Sequence, residues 1–234
     1  MSEARDQILG GIRRALKRGP LDEAQRQTLE ARLAAPPRNL VPARAAGRDH
    51  PGQIELFIAM AQEVQTTVTR VASPAQVPGA VADYLSQRNL PSRLVMTPDP
   101  QLENIPWEER TMLELRRGRA EDGDAVGLTG CFAGIAETGT LMLISGPESP
   151  TRNNFLPDTH IVVMRGEQIV PSYEEGWTRL RQRGQRGEGG STMPRTVNFI
   201  TGPSRTGDIE QKIELGAHGP RRLHVVLVGD AASR

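Results

Sequence analysis

Short apolar runs separated by polar turns fill the second half of this 234-residue chain. Seven runs are rich in Val, Ile, Leu or Met and are bounded by Gly, Pro, Asp or Asn, a pattern typical of β-strands. They read "SRLVMTP", "DAVGLTG", "GTLMLIS", "HIVVMR", "QIVP", "RTVNFIT" and "RLHVVLVG". Residues 173–183 and 208–215 have helical patterns between them. The alternation predicts an α/β fold with an open, largely parallel sheet flanked by helices, and the adjacent central runs add an antiparallel element.

The first 50 residues predict a helical arm followed by a linker. Residues 2–18 place Ile8, Ile12 and Leu16 on one face of an amphipathic helix, and residues 22–34 form a second helical segment. The stretch "PPRNLVPARAAGRDHPG" reads as an extended linker. Residues 53–68 then predict the first helix of the α/β domain, and Ser73-Pro74 begins another. We therefore expect an arm over residues 1–50 and one domain over residues 53–234.

Composition and charge exclude several classes of protein. The 29 basic residues nearly balance the 28 acidic residues, and aromatic residues make up only 3% of the chain, so nucleic-acid binding is not expected. One cysteine, Cys131, cannot form an intramolecular disulfide or hold an iron–sulfur cluster by itself. No apolar stretch is long enough for a membrane span, and the N-terminus does not resemble a signal peptide. We expect a cytoplasmic protein.

The loop "TGPSRTGDIE", residues 201–210, is a candidate ligand site. It lacks the Lys and Ser or Thr of a phosphate-binding P-loop, and it is not a dinucleotide-binding G-x-G-x-x-G motif. Because the loop follows a predicted strand and precedes a predicted helix, we expect it at the carboxyl edge of the sheet. Gly202, Ser204, Arg205 and Thr206 would bind a small anion, a carboxylate or a phosphate, without a metal. Asp208 would cap the helix that follows.

A second constellation surrounds Glu137 in "GIAETGTLMLISG", a Gly-flanked turn before an apolar strand. With His160, at the start of another strand, Glu137 could transfer protons, and we expect both to converge with the 202–207 loop. The structural alternatives are that Glu137 binds loop amides and that His160 caps a strand end. The neighbouring candidate ligand residues are Thr138, Gly139, Thr140 and His218. Metal-ligand spacing is not apparent, and Cys131 is better explained as a small buried thiol than as a nucleophile.

The motifs "GCFAGIAETGTLML", "LPDTHIVVM", "TGPSRTGDIE" and "LGAHGPRRLHVVLV" together resemble the lactate-utilization protein C family, whose members carry the LUD domain. The resemblance spans residues 53–229, and "ILGGIRRAL" is similar to that family's N-terminal helix. It implies a fold similar to the sugar-phosphate isomerase and CoA-transferase group. It also implies a role in oxidising L-lactate to pyruvate together with two iron–sulfur proteins, which would supply the clusters.

Three functions remain open from the sequence. The first is a non-redox subunit of a lactate-oxidising complex that binds an anionic ligand or stabilises the assembly. The second is an independent enzyme, similar to CoA transferases or phosphosugar isomerases, with Glu137 as nucleophile or base. The third is a ligand-binding scaffold without chemistry. Whether the chain is catalytic and whether it forms a homo-oligomer are not determined by these residues.

Overall fold

The structure is a computed structural model that describes residues 3–37, 40–185, 193–209 and 212–229. Contacts divide the chain into two units, Met1–Leu40 and Val41–Arg234. The first unit holds α1 (Glu3–Ala15) and α2 (Glu23–Ala34). Asp22 caps α2: its carboxylate accepts a 2.7 Å bond from the Gln25 amide, and the Gln25 side-chain oxygen accepts a 3.2 Å bond from the Asp22 amide. Neither helix has a buried residue.

The second unit contains the remaining helices and all the strands that the structure describes. Its helices are α3 (His50–Glu63), α4 (Val77–Gln87), α5 (Pro100–Glu103), α6 (Arg152–Phe155) and α7 (Tyr173–Gln185). Its strands are β1 (Thr67–Val71), β2 (Arg93–Met96), β3 (Glu114–Arg117), β4 (Val126–Thr129), β5 (Ala133–Ile135), β6 (Thr140–Ile144), β7 (Thr159–Arg165), β8 (Ile169–Val170), β9 (Val197–Ile200), β10 (Arg205–Ile209), β11 (Lys212–Leu215) and β12 (Arg222–Val228).

Two main sheets organise this unit. A six-stranded sheet in the order β1-β12-β7-β4-β2-β3 is parallel at each pairing, which confirms the predicted open parallel sheet. A four-stranded sheet has the order β8-β5-β6-β9, in which β6 is antiparallel to both neighbours. Strands β10 and β11 form a separate antiparallel hairpin. No helix in the described ranges is long and apolar enough to cross a lipid bilayer.

Strand β7 lies between the two halves of the core. Its side chains alternate, so Ile161 and Val163 pack in the cluster that contains residues of α4, whereas Val162 and Met164 pack with residues of α3 and β6. A strand covered on both faces requires apolar residues at consecutive positions, which "HIVVMR" supplies. The four-stranded sheet therefore covers the same face of the parallel sheet as α3.

Several predicted bounds differ from the structure. Residues 208–209 end β10 and residues 212–215 form β11, so the predicted helix and the capping role of Asp208 are wrong. Apolar residues four positions apart in a short run fit both the helical period and the strand period. The antiparallel pairing of β10 with β11 decides in favour of the hairpin. Helix α3 begins at His50 because Asp49 caps it and Pro51 occupies its first turn. It ends at Glu63, shortly before Gln65 takes a left-handed φ of 69°.

Candidate functional site

Glu137 lies in the turn between β5 and β6, where it contacts the start of α7. One of its oxygens, Oε1, accepts a 3.1 Å bond from the amide of Tyr173, the first residue of α7. The side chain is only 4% exposed, and its second oxygen has no partner among the described residues. The carboxylate therefore stabilises the N-terminal end of α7, where backbone amides are left without partners within the helix. Its proposed chemical role stays a prediction.

Four hydroxyl groups meet beside this turn, and we call them the hydroxyl cluster: Thr138, Thr140, Tyr173 and Thr201. The Thr140 hydroxyl lies 2.7 Å from those of Thr138 and Thr201 and 3.1 Å from that of Tyr173. This arrangement follows from the antiparallel pairing of β6 with β9, which places Leu141 opposite Ile200. The Glu137 turn and the first residue of the 201–210 loop are thus neighbours. Sequence reasoning identified both segments but missed Tyr173 and Thr201.

Two glycines bring these segments against the end of α3. Gly139 has a φ of 62° and Gly202 a φ of 78°, and a Cβ atom at either position would collide with backbone atoms near the end of that helix. Arg205 makes the same connection through its side chain, since Nη2 donates a 2.5 Å bond to the carbonyl of Val64, the C-cap of α3. A cation at this position stabilises the unpaired carbonyls of a helix end.

Ser204 ties the loop to the segment that enters β12. Its amide donates to the carbonyl of Pro220 at 2.8 Å, its carbonyl accepts from Gly216, and its hydroxyl accepts from the amide of His218 at 3.3 Å. The loop therefore lies at the amino end of β12, and the expected position at the carboxyl edge of the sheet is wrong. Without the following helix, the loop also has no helix N-terminus to attract an anion. Ligand binding by this loop stays a prediction.

His160 lies inside the parallel sheet and is fully buried. Its Nε2 is 2.8 Å from the Thr129 hydroxyl on the neighbouring strand, and its Nδ1 has no partner in the described part of the chain. Burial lowers the pKa of His160 to about 3, so the ring is neutral near pH 7. Within the described ranges, no hydrogen bond connects His160 with Glu137.

A second histidine, His224 in β12, is also buried. Its ring stacks on that of Tyr84 with centroids 3.9 Å apart, and its Nδ1 is 2.8 Å from the Thr67 hydroxyl. Burial lowers the pKa of His224 to about 4. Both histidines are therefore part of the sheet's interior.

Among the described residues, no three His, Cys, Asp or Glu side chains lie close enough together to hold a metal ion. Cys131 is buried as a free thiol. The Cys131 thiol donates to the carbonyl of Ala133 at 3.1 Å. Burial raises the pKa of this thiol to about 12, so it is protonated and unreactive near pH 7.

The carboxyl edge of the parallel sheet holds a cleft that sequence reasoning missed. Strands β2 and β4 are neighbours, but the chain leaves β2 towards β3 on one side and leaves β4 towards β7 on the other. Ligands of open α/β sheets bind where the strand order reverses in this way. A cleft of about 370 Å³ opens here, and we call it the switch-point cleft. Its polar lining includes Asp99, Gln101, Ser145, Glu148, Ser149, Gln168, Arg179, Gln182 and Arg183.

Asp99 lies in the loop that follows β2, after Thr97 and Pro98, and Gly130 directly follows β4. The Asp99 Oδ1 accepts a 2.9 Å bond from the Gln101 amide, while a Cβ atom at Gly130 would collide with its Oδ2. Burial raises the pKa of Asp99, and the negative charges of Glu148 and Glu103 raise it further against the Gln101 bond. A strand-end Asp-Pro in "VMTPDP" is the sequence signal that could have identified this carboxylate.

The chain is similar to proteins of a known family. The model of the LUD domain family matches residues 54–228. The chain is 35% identical to "Lactate utilization protein C" of Deinococcus radiodurans over 164 residues, which cover 67% of this chain and 71% of the relative. It is 33% identical to the protein of the same name from Bacillus subtilis over 138 residues, covering 58% and 56%. A crystal structure of a DUF162 family protein from Deinococcus radiodurans is 29% identical, with a TM-score of 0.57 over 78% of this chain and 99% of that one.

Proposed function

Because the chain belongs to the LUD domain family, we propose that it takes part in lactate utilization. The observation that carries this proposal is the 35% identity to a protein named "Lactate utilization protein C", which extends over 71% of that relative. Within this role, the chain is a subunit of a system that oxidises L-lactate to pyruvate and acts beside iron–sulfur proteins. The chain's own chemistry is then binding and positioning.

The single cysteine, Cys131, is the reason to assign electron transfer to partner proteins. Iron–sulfur clusters are held mainly by several cysteine thiolates, whereas this chain has one cysteine, buried and protonated. The electrons released when lactate becomes pyruvate must therefore pass to a partner or to an acceptor that is not held by cysteines of this chain. Iron–sulfur partners supply that function in our proposal.

The arm offers a surface for such partners. Ile8, Ile12 and Leu16 are 63%, 49% and 56% exposed; the first two lie four residues apart on α1, and Leu16 directly follows the helix. A 13-residue helix is marginal in water unless its apolar face is covered. We assign this apolar face to association within the complex.

Affinity purification after anaerobic co-expression with the cysteine-rich iron–sulfur proteins tests the proposal. We expect co-purification of the native chain and loss of it in Ile8→Asp. The matched control is Gln7→Asp, which adds the same charge to an adjacent position of the same helix. A chain that never associates with these proteins, or a gene deletion that leaves growth on L-lactate unchanged, would contradict the proposed role.

One observation favours a second candidate, an enzyme similar to CoA transferases with Glu137 as nucleophile. The Glu137 oxygen Oε2 is buried and has no partner among the described residues, although polar hydroxyl groups surround the turn. Incubation with acyl-CoA thioesters followed by hydroxylamine or borohydride trapping would label Glu137 in this case. The control is the exposed Glu148. Labelling of neither residue, with no acyl transfer, removes this candidate.

A further inference from the structure

The switch-point cleft is lined by side chains of both charges. Arg179 and Arg183 are one turn apart on α7, and Asp99 and Glu148 line the same cleft from other segments of the chain. The guanidinium of Arg179 is already engaged, since it donates to the Glu167 carbonyl at 3.1 Å and lies 5.7 Å from the centre of the Phe132 ring. A ligand in the cleft would therefore meet both positive and negative groups.

Arg183 is the cation that remains for a ligand. Among the described residues, no acidic side chain forms an ion pair with it, in contrast to Arg165 and Arg152, which pair with Glu167 and Asp122. Its side chain is half-buried and lines the cleft. A planar guanidinium in this setting suits a carboxylate or a phosphate, which it can bind through two parallel hydrogen bonds.

Asp99 offers a carboxylate oxygen for a hydroxyl group of the ligand. Asp99 uses Oδ1 for the Gln101 amide, and its Oδ2 lies where a side chain at Gly130 would be, so the carboxylate packs on Gly130 at the lining of the cleft. A carboxylate oxygen in this position accepts a hydrogen bond from a ligand hydroxyl, and Ser145 and Ser149 add further polar groups.

The volume of the cleft sets the size of the ligand. Lactate has six non-hydrogen atoms and occupies at most about 180 Å³, even if each atom takes the full ~30 Å³ of one water. The cleft, at about 370 Å³, is at least about twice as large.

We propose that the switch-point cleft binds a hydroxylated anion longer than lactate, with its anionic group on Arg183 and a hydroxyl group on Asp99. The class contains sugar acids and polyol phosphates, which share this chemistry. The inference rests on the cleft alone and does not depend on the role in lactate utilization.

Isothermal calorimetry on the full chain tests the proposal with D-gluconate, sn-glycerol 3-phosphate and L-lactate as probes. Hexanoate and propionate are the matched acids without hydroxyl groups. We expect D-gluconate or glycerol 3-phosphate to bind more tightly than lactate, and the stronger of the two identifies the anionic group as carboxylate or phosphate. Absence of binding by both longer probes, or equal binding of gluconate and hexanoate, would overturn the proposal.

Single substitutions test the contacts of Arg183 and of Asp99 separately. Arg183→Ala should weaken binding of the better probe by about ten- to a hundred-fold, as expected for a charge-assisted hydrogen bond, while the exposed Arg181→Ala on the same helix should not. Asp99→Asn should reduce the preference for gluconate over hexanoate. Gly130→Ala should do the same without a change of charge, because its methyl group contacts the carboxylate. Equal affinity in Arg183→Ala and Arg181→Ala would place the anion elsewhere.

Discussion

The two buried histidines predict that the protein loses stability below about pH 6.5, the ordinary pKa of histidine. Burial holds the pKa of His160 at about 3 and that of His224 at about 4, so both rings stay neutral in the folded protein while they become charged in the unfolded chain. The unfolded chain then binds more protons, and the free energy of unfolding falls as the pH falls. This contribution to stability is complete above the unfolded pKa and is lost progressively below it.

The size of the effect follows from the two pKa values. Between about pH 7.5 and about pH 5, each histidine removes about 2 kcal/mol of unfolding free energy, so the pair removes about 4 kcal/mol. That is a large part of the ~5–15 kcal/mol that stabilises a typical domain. The raised pKa of Asp99 acts with the opposite sign, because its folded state binds a proton more readily than the unfolded chain. A comparison of variants removes this shared contribution.

Urea denaturation followed by circular dichroism at several pH values measures the effect. His160→Gln/His224→Phe removes both titrating rings, and Phe retains the aromatic stack on Tyr84. We expect the variant to be less stable than the native chain at about pH 7.5 but to lose much less stability on acidification. Parallel pH dependences of the two proteins would refute the assignment to these histidines.

Two further predictions concern residues beside the candidate sites. Gly139→Ala should lower the unfolding free energy by more than about 2 kcal/mol, because the new methyl meets the backbone of α3 in addition to the unfavourable φ of 62°. Gly123→Ala has a φ of 95° but open space, so it should lose only the conformational part, and equal melting temperatures of the two variants would contradict the packing argument. Cys131 should resist iodoacetamide at about pH 8 and react after unfolding in urea; rapid labelling of the folded protein would contradict its burial.

The strands that sequence predicted correctly are those with consecutive apolar residues. Thr159–Arg165 and Arg222–Val228 are buried on both faces and carry a strong signal. Glu114–Arg117 was missed because this edge strand reads "ELRR" and is only partly buried. Thr67–Val71 was missed because its alternating residues directly follow the pattern of α3. In the parallel sheet, the apolar pattern thus identifies the central strands and misses the edge strands β1 and β3.

The candidate sites differ in the same way. The Glu137 turn has a local signal, a carboxylate between glycines, and its contact with Thr201 follows from a simple antiparallel pairing. The switch-point cleft has one local signal, the Asp-Pro after β2, but only the folded arrangement of the chain brings Asp99, Gly130 and Arg183 together. That order depends on long-range packing, which the spacing of residues along the chain does not reveal.

Helix α7 mechanically connects the two candidate sites. Its first amide is held by Glu137, and Arg183, which lines the switch-point cleft, lies roughly 15 Å further along the helix at 1.5 Å per residue. A substitution at Glu137 removes the bond to the first turn of α7 and can therefore displace the helix and Arg183, although Glu137 itself contacts no ligand in the cleft. Loss of activity in such a variant does not by itself identify a catalytic carboxylate. In a mutational screen, substitutions at Glu137 and at Arg183 would then lower the same activity.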